Sequence, residues 1–406
     1  MLLALAWRNL WRRPQRTLLS LLSIAIAAAL LVFMLSFQLG VYAKMKETTL
    51  RIVDGYAQFQ PEGYATDPGL DRTIAQAEAL LDDAVRIQGV TTAAPRINGF
   101  AILANGERSY GAAVVGVDPA RERKVSSIAS MIRDGRYLDP SDSDAAVLGA
   151  SLARNLQLEV GGKVTLLGAA RDGSVAADVL RVVGIYRSGM PELDRSILEM
   201  PLSRAQDAFA MSGRASTIAL SGPSLGAVND ALPTLSALAR RHRVSLLDWS
   251  ELEPALRDAL RLKYATSTLL YLTLVAVVAF IILNSLLMSV LERTREFGVM
   301  LAVGMRARLI GGMVWLELLA LAFAGCSIGL AIGAVVTLWF QNHGIAFAGL
   351  GQLMEQFGLP QRLYPTLTPL SALVGPGAIL SAVAIGGIVP YLHVAHLTAS
   401  SAMRAP

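Results

Sequence analysis

TLLSLLSIAIAAALLVFMLSFQLGVYA, residues 17–43, contains no Asp, Glu, Lys or Arg. A hydrocarbon core about 30 Å thick needs about 20 apolar residues in helical geometry, and this run is longer than that. Elsewhere in the chain three further stretches meet the same test: 264–291, 309–341 and 367–392. Glu317 is the only Asp, Glu, Lys or Arg between Leu309 and Glu355, and Leu363 to Leu392 has none. Four spans are therefore expected. Composition agrees, because 53% of the 406 residues are hydrophobic and only 17% charged, whereas soluble domains carry about a quarter charged residues.

The distribution of Lys and Arg orients the spans. Arg8, Arg12, Arg13 and Arg16 precede the first, and Arg293, Arg295, Arg306 and Arg308 fill the loop between the second and third. The loop before the fourth has little beyond Arg362. Cytoplasmic loops collect positive charge, which puts both termini and residues 292–308 in the cytoplasm. Residues 44–263 and the short loop 342–366 then lie outside. The net charge of +5 follows from this topology and gives no reason to expect nucleic acid. The first run exceeds the 7–15 residues or so of a secretory h-region, so it reads as an uncleaved anchor. Cys326, the single cysteine, falls in the third span, so the outer stretch must be held by its own core without disulfides.

That outer stretch reads as α+β. Ile74, Ala77, Leu81 and Ala84 recur at helical spacing within 73–85. Two β-prone runs, 99–104 and 109–117, flank Asn105-Gly106, a hairpin signal. Residues 146–158 suggest a helix, followed by strands at 163–167 and 178–186. Helices are expected at 203–210 and 224–242 around a short strand, 216–220. The run 251–263 reads as a helix continuing into the second span.

Catalytic signatures are missing. There is no GxxxxGK[ST], the loop that would cradle nucleotide phosphates. Gly149-Ala150-Ser151-Leu152-Ala153 lacks the final glycine of a nucleophile elbow and reads as the start of a helix. His393 and His396 are spaced i, i+3 without an accompanying Cys or carboxylate, so no metal site is assigned. Asp139, Asp142 and Asp144 around Pro140 read as a solvated loop. The chain is not expected to be an enzyme by itself or to bind a cofactor.

Three features near the membrane carry more information. Residues 1–16 form an expected interfacial amphipathic helix, with Trp7 and Trp11 at headgroup depth and Arg8, Arg12 and Arg13 toward anionic lipid. Gly325, Gly329 and Gly333 form a GxxxGxxxG ridge, suited to close packing within the chain or in a dimer. Glu317 is an intramembrane acid, expected to serve function or to pair with Arg306 or Arg308.

The loop between the second and third spans, with the start of the third, reads ERTREFGVMLAVGMRARLIGGMVWLE, residues 292–317. This resembles the MacB/LolC/LolE/FtsX superfamily of ABC-transporter permeases, in which an ERTREIG-like run and an AxGA-like turn lead into a helix with a glutamate. Glu292, Arg293, Thr294, Arg295, Glu296 and Gly298, then Ala302, Gly304 and Glu317, match; Phe297 and Met305 depart from the pattern. The opening AWRNLWRRPQRTLLSLLSIAIA resembles the family's N-terminus. GVDP at 116–119, the run 134–167, the run 194–209 and the terminal SAMR at 401–404 resemble further family segments.

The resemblance implies a fold of four transmembrane helices with a MacB-like α+β periplasmic core inserted between helices 1 and 2. It also implies coupling to an ATPase through Glu292, Arg293, Arg295, Glu296, Phe297, Gly298, Gly304 and Met305. ATP and Mg would sit in a separate cytoplasmic ABC ATPase dimer, and a second permease chain, identical or not, would complete a mechanotransmission machine in the bacterial inner membrane. With no fused ATPase and a large outer domain, the layout is closest to lipoprotein-releasing LolC/LolE permeases, working with a periplasmic carrier. FtsX-like signalling to an envelope partner and tripartite efflux through a membrane-fusion adaptor are the alternatives.

Overall fold

The computed structural model describes residues 14–346, 349 and 362–396. The expected interfacial helix (Trp7, Arg8, Trp11, Arg12, Arg13) and the terminal SAMR lie outside the described residues. The chain divides into two compact units, one built on Lys44–Ala259 and the other on the sequence before and after it.

Helix α1 (Pro14–Leu50) carries the first apolar run and continues past its end at Ala43. The outer domain follows. Strand β1 (Ala57–Gln60) leads to α2 (Ala77–Val85), then to the hairpin β2 (Thr92–Asn105) and β3 (Arg108–Val117). Asn105 pairs with Arg108, so the loop is Gly106-Glu107, with Gly106 at φ 58°. Helix α3 (Pro119–Val125) begins where Asp118 accepts hydrogen bonds from the Ala120 and Arg121 amides. Strands β4 (Ile132–Gly135) and β5 (Ala145–Gly149) precede α4 (Ala150–Leu156). Next come β6 (Lys163–Ala169), β7 (Val175–Tyr186), α5 (Pro191–Ser196), β8 (Ile197–Pro201) and α6 (Leu202–Ala208). The domain ends with β9 (Thr217–Ser221), α7 (Leu225–His242) and β10 (Ser245–Asp248). Ser224 caps α7 by accepting from the Ala227 amide, and Arg240, Arg241 and His242 crowd its last turn, where the helix dipole favours cations.

Residues 146–158, expected as one helix, are instead the strand β5 followed by α4. β5 is buried along its whole length between β7 and β8. A strand covered on both faces is apolar throughout, so periodicity does not separate it from a helix. The helix expected from Thr73 starts only at Ala77.

Six strands form a ring. β2 pairs with β3, β3 with β8, β8 with β5, β5 with β7, β7 with β6, and β6 again with β2. The enclosed core contains Leu103, Val114, Leu148, Leu166, Leu180 and Leu198, all fully buried. β2 is long enough to serve twice. Its Ala101–Ala104 half closes the ring with β6, and its Thr92–Arg96 half pairs with β9, which extends through β1 to β10. A second apolar cluster covers part of the ring's outside, with Ile128, Tyr137 and Leu138 lying over Val115, Val147 and Ile197.

One polar group sits within this packing. Arg96 Nε donates to Glu122 Oε2 at 3.1 Å and Arg96 Nη2 to Oε1 at 2.5 Å, both side chains under 5% exposed. Tyr137 Oη donates to Glu199 Oε2 at 2.8 Å. Burial, together with the charge of Glu122, pushes the Glu199 carboxyl up to about 8.

In the membrane unit, α8 (Pro254–Leu291) is one element from the end of the outer domain through the second apolar run. A separate capped turn, Trp249–Leu252, precedes it, so the helix begins three residues later than residue 251. Then come α9 (Thr294–Ala302), α10 (Ala307–His343), α11 (Pro369–Gly386) and α12 (Ile388–Ala395). Among the described residues four spans have the length and apolar character to cross a membrane: Thr17–Leu50, Pro254–Asn284, Ala307–His343 and Pro369–Leu392. The glycine ridge is used inside the chain. A Cβ on Gly329 would stand 2.4 Å from the Ala25 carbonyl oxygen of α1, and one on Gly325 would meet Ile24 at 2.7 Å. Glycine here lets two backbones approach where lipid offers no hydrophobic drive to hold helices together.

Candidate coupling site

The loop between the second and third spans is a nine-residue helix with two different faces. Its first residues turn inward. Arg293, at the N-cap of α9, donates from Nη1 to Glu317 Oε1 of α10 at 2.8 Å and from Nε to Glu296 Oε2 at 3.3 Å. Its guanidinium lies 5.6 Å from the centre of the Phe297 ring. Phe297 is fully buried, packed in the cluster that includes Ile310, Val314 and Leu318 of α10. Gly298 is buried beside it.

Glu317 therefore pairs with Arg293. The expected partners, Arg306 and Arg308, are exposed. The reason is the fold-back at the end of α9. Gly304 takes φ +100°, the Gly304 amide donates to the Leu301 carbonyl and the Met305 amide to the Met300 carbonyl, both at 3.0 Å. This left-handed closure returns the chain so that the start of α9 lies against the second turn and beyond of α10. Glu317 Oε2 has no hydrogen-bond partner among the described residues. A planar guanidinium that serves two carboxylates and a ring at once fixes the helix far better than an ammonium would.

The opposite face of α9 is exposed: Arg295 and Val299 (55%) on the helix and Val303 (81%) at its C-cap, with Glu292, just before the helix, exposed as well. Arg295, Val299 and Val303 follow one another at i, i+4, one stripe of a helix. Sequence reasoning named Arg295 and missed the two valines. The spacing was available, but only once a helix was assigned to 294–302. Of the other expected residues, Glu296 and Met305 are half-buried and Gly304 is exposed.

A cavity of about 390 Å³ lies elsewhere in the membrane unit, between α1, α8 and α11. Leu35, Leu39, Tyr271, Val275, Leu370 and Val374 make it almost wholly apolar. Nearby, the Tyr42 and Ser267 hydroxyls are hydrogen-bonded and the Tyr42 and Tyr264 rings meet edge to face, centroids 4.8 Å apart, which ties α1 to α8.

The profile of a MacB-like periplasmic core domain matches residues 17–235, more than half of the chain, and that of an FtsX-like permease C-terminal region matches 268–399. The chain belongs to the MacB/LolC/LolE/FtsX permease superfamily. This permease is 25% identical over 344 residues to the lipoprotein-releasing system transmembrane protein LolC of Neisseria meningitidis serogroup B, covering 82% of the chain and 79% of that protein. It is 25% identical to the corresponding LolE of Haemophilus influenzae, covering 82% of each. A macrolide export ATP-binding/permease protein MacB of Nitrobacter winogradskyi is 26% identical over 401 residues, which are 95% of this permease and 57% of that larger protein. The solved periplasmic region of MacB from Actinobacillus actinomycetemcomitans aligns with half of the permease and 93% of that chain, at 15% identity and TM-score 0.37. The permease is thus a multi-pass inner-membrane protein of the LolC/LolE/MacB type.

Proposed function

We propose that this permease couples ATP hydrolysis in a separate cytoplasmic ABC ATPase, where ATP and Mg bind, to the extraction of a lipoprotein or another lipophilic substrate from the outer leaflet. The observation that carries the reading is the two-faced helix α9. Arg293 and Phe297 lock one face to α10, so a push on the other reaches the membrane helices without being lost in a loose loop. Arg295, Val299 and Val303 on the free face have the mixed charged and apolar character of a protein docking knob. Positive residues beside the spans favour this loop on the cytoplasmic side, where an ATPase would meet it. Lipophilic cargo is supported by the apolar cavity between α1, α8 and α11 and by the lipoprotein-releasing relatives.

Two variants of the full chain test the coupling. Val303→Glu should lower capture of the co-expressed ATPase at least tenfold with membrane insertion intact. Arg293→Ala should leave capture within about threefold of wild type yet abolish stimulation of ATPase activity. Wild-type capture and stimulation in both would sink the assignment. For cargo, vesicles holding the permease, its ATPase and a triacylated lipopeptide should release the lipopeptide to a soluble acceptor only with ATP. No release alongside normal ATPase stimulation would reject a lipophilic cargo and leave the coupling standing.

A further inference from the structure

The two ends of the outer segment meet in one small region. Gly55, at φ 77°, donates its amide to the Leu50 carbonyl at 2.9 Å, so the chain turns within five residues of α1 and enters β1. At the other end β10 pairs with β1, Ala57 opposite Asp248, and the capped turn Trp249–Leu252 hands the chain to α8. Two side-chain contacts tie these ends beyond the ladder. Lys46 Nζ of α1 lies 4.8 Å from the centre of the Trp249 ring. The carboxyls of Asp54 and Glu253, one from each end, are hydrogen-bonded to each other. Two carboxyl groups make that bond only when one of them holds a proton.

Both members are held in place. Gln58 Nε2 donates to the Asp54 carbonyl at 2.9 Å and to Asp54 Oδ1 at 3.4 Å. The Glu253 amide donates to the Trp249 carbonyl at 3.0 Å, and the Glu253 carbonyl accepts from the Arg257 amide at the same distance. Other charged groups on the elements that meet here have roles of their own. Asp248 and Glu251 cap the turn, and Arg257 donates to Asp258 Oδ1 at 3.0 Å. On the α1 side Lys44 bonds Glu47, while Arg51 buries its Nε without a partner among the described residues. Arg123 of α3 donates to the Leu138 carbonyl, and Lys124 is exposed. Arg96 of β2 grips Glu122 with two nitrogens and reaches Asp54 only through its charge.

We propose that Asp54 and Glu253 form a proton-operated latch between the two ends of the outer segment, closed while they share a proton and opened by carboxylate repulsion when it leaves. Burial first, then the charge and hydrogen bond of Asp54, push the Glu253 carboxyl from an ordinary 4.5 up to about 7. The folded-state value is the higher one, so the contact's contribution is complete below about 4.5 and lost as pH rises through about 7. Each end belongs to an element that carries a membrane span, α1 on one side and α8 on the other. The latch therefore sets how firmly those two helices are held to each other at the outer domain, in response to pH on that side of the membrane. Its effect on coupling rests on the proposed function; the latch itself does not.

Spin labels on the full chain in vesicles, at Thr48→Cys and Ala255→Cys in a Cys326→Ala background, test this. At pH 5.5 the distance between the labels should be narrowly distributed, and by pH 8.5 the distribution should widen at least twofold, with its midpoint near 7. Glu253→Gln, whose amide donates to Asp54 at every pH, should keep the narrow distribution throughout, and Asp54→Asn should also remove the pH dependence. A wild-type distribution that ignores pH, or a transition that persists in Glu253→Gln, would overturn the proposal. Neither ATPase nor cargo is present, so that failure would leave the coupling reading standing. With the ATPase bound and pH changed only on the side of the outer domain, stimulation should fall at least threefold across the same window in the wild type and hold steady in Glu253→Gln. Equal dependence in both would remove the latch from coupling.

Discussion

Glu199 lies on a strand buried between two others, with Tyr137 as hydrogen-bond donor and the Arg96–Glu122 pair close enough to act on it. Its carboxyl is pushed from an ordinary 4.5 up to about 8, first by burial and then by the charge of Glu122. The folded-state value is the higher one, so the neutral form's contribution to stability is complete below about 4.5 and lost as pH rises through about 8. The unfolding temperature of the outer domain should therefore fall across that window, and Glu199→Gln should flatten the profile. An equally steep profile in the variant, followed by circular dichroism, would reject this account. None of this was legible in the sequence, because Arg96, Glu122, Tyr137 and Glu199 lie far apart in it and meet only through the ring. The pairing of Glu317 escaped for the same reason. The acid itself stood out in an apolar run, while its partner depended on the fold-back at Gly304.

At the level of elements, close approach of α1 and α10 is the most exacting contact in the membrane unit. Gly329→Leu must displace the Ala25 backbone and the Ala28 side chain, and overpacking of this kind costs about 1–3 kcal/mol. Gly312, on the same helix, has no heavy atom of a neighbouring residue near its would-be Cβ, so Gly312→Ala should change stability by no more than about 0.5 kcal/mol. Thermal unfolding of the detergent-solubilised protein would compare the two; equal effects would mean that the ridge is not a tight contact. The spans themselves were readable, since an uncharged run of more than twenty residues has few other uses. So were the β2–β3 hairpin, through Asn105-Gly106, and α7, expected over 224–242 and found at Leu225–His242. β5 was not, for its fully buried run carries no alternation. β1, β8 and β10 are four or five residues long, too short to show a period. Ring closure between β2 and β6 is a non-local pairing with no local signature.

For the whole molecule, the division into two units has a measurable consequence. Residues 44–259 form one uninterrupted segment with its own apolar clusters and no cysteine. Expressed alone, this segment should be soluble and folded, with dispersed amide resonances and a single cooperative unfolding transition. A collapsed, poorly dispersed spectrum would show instead that the domain needs the membrane helices to hold its shape. The exposed valines of β7, Val175 and Val179, predict that such a fragment precipitates at concentrations the Val175→Asp variant tolerates.

The pairing of β1 with β10 also bears on how the protein is made. Residues 57–60 and 245–248, near the two ends of the outer segment, lie side by side in one ladder. During synthesis the first of these strands emerges nearly two hundred residues before its mate, and β9, which pairs with β1 on its other side, is also late. The nascent domain therefore waits with β1 and the Thr92–Arg96 half of β2 lacking their β9 partner, the state in which β-rich chains aggregate most readily. When β10 arrives, its zipping against β1 brings together the chain leaving α1 and the chain about to enter α8. Completion of the fold thus falls at the moment the second span is next to be made.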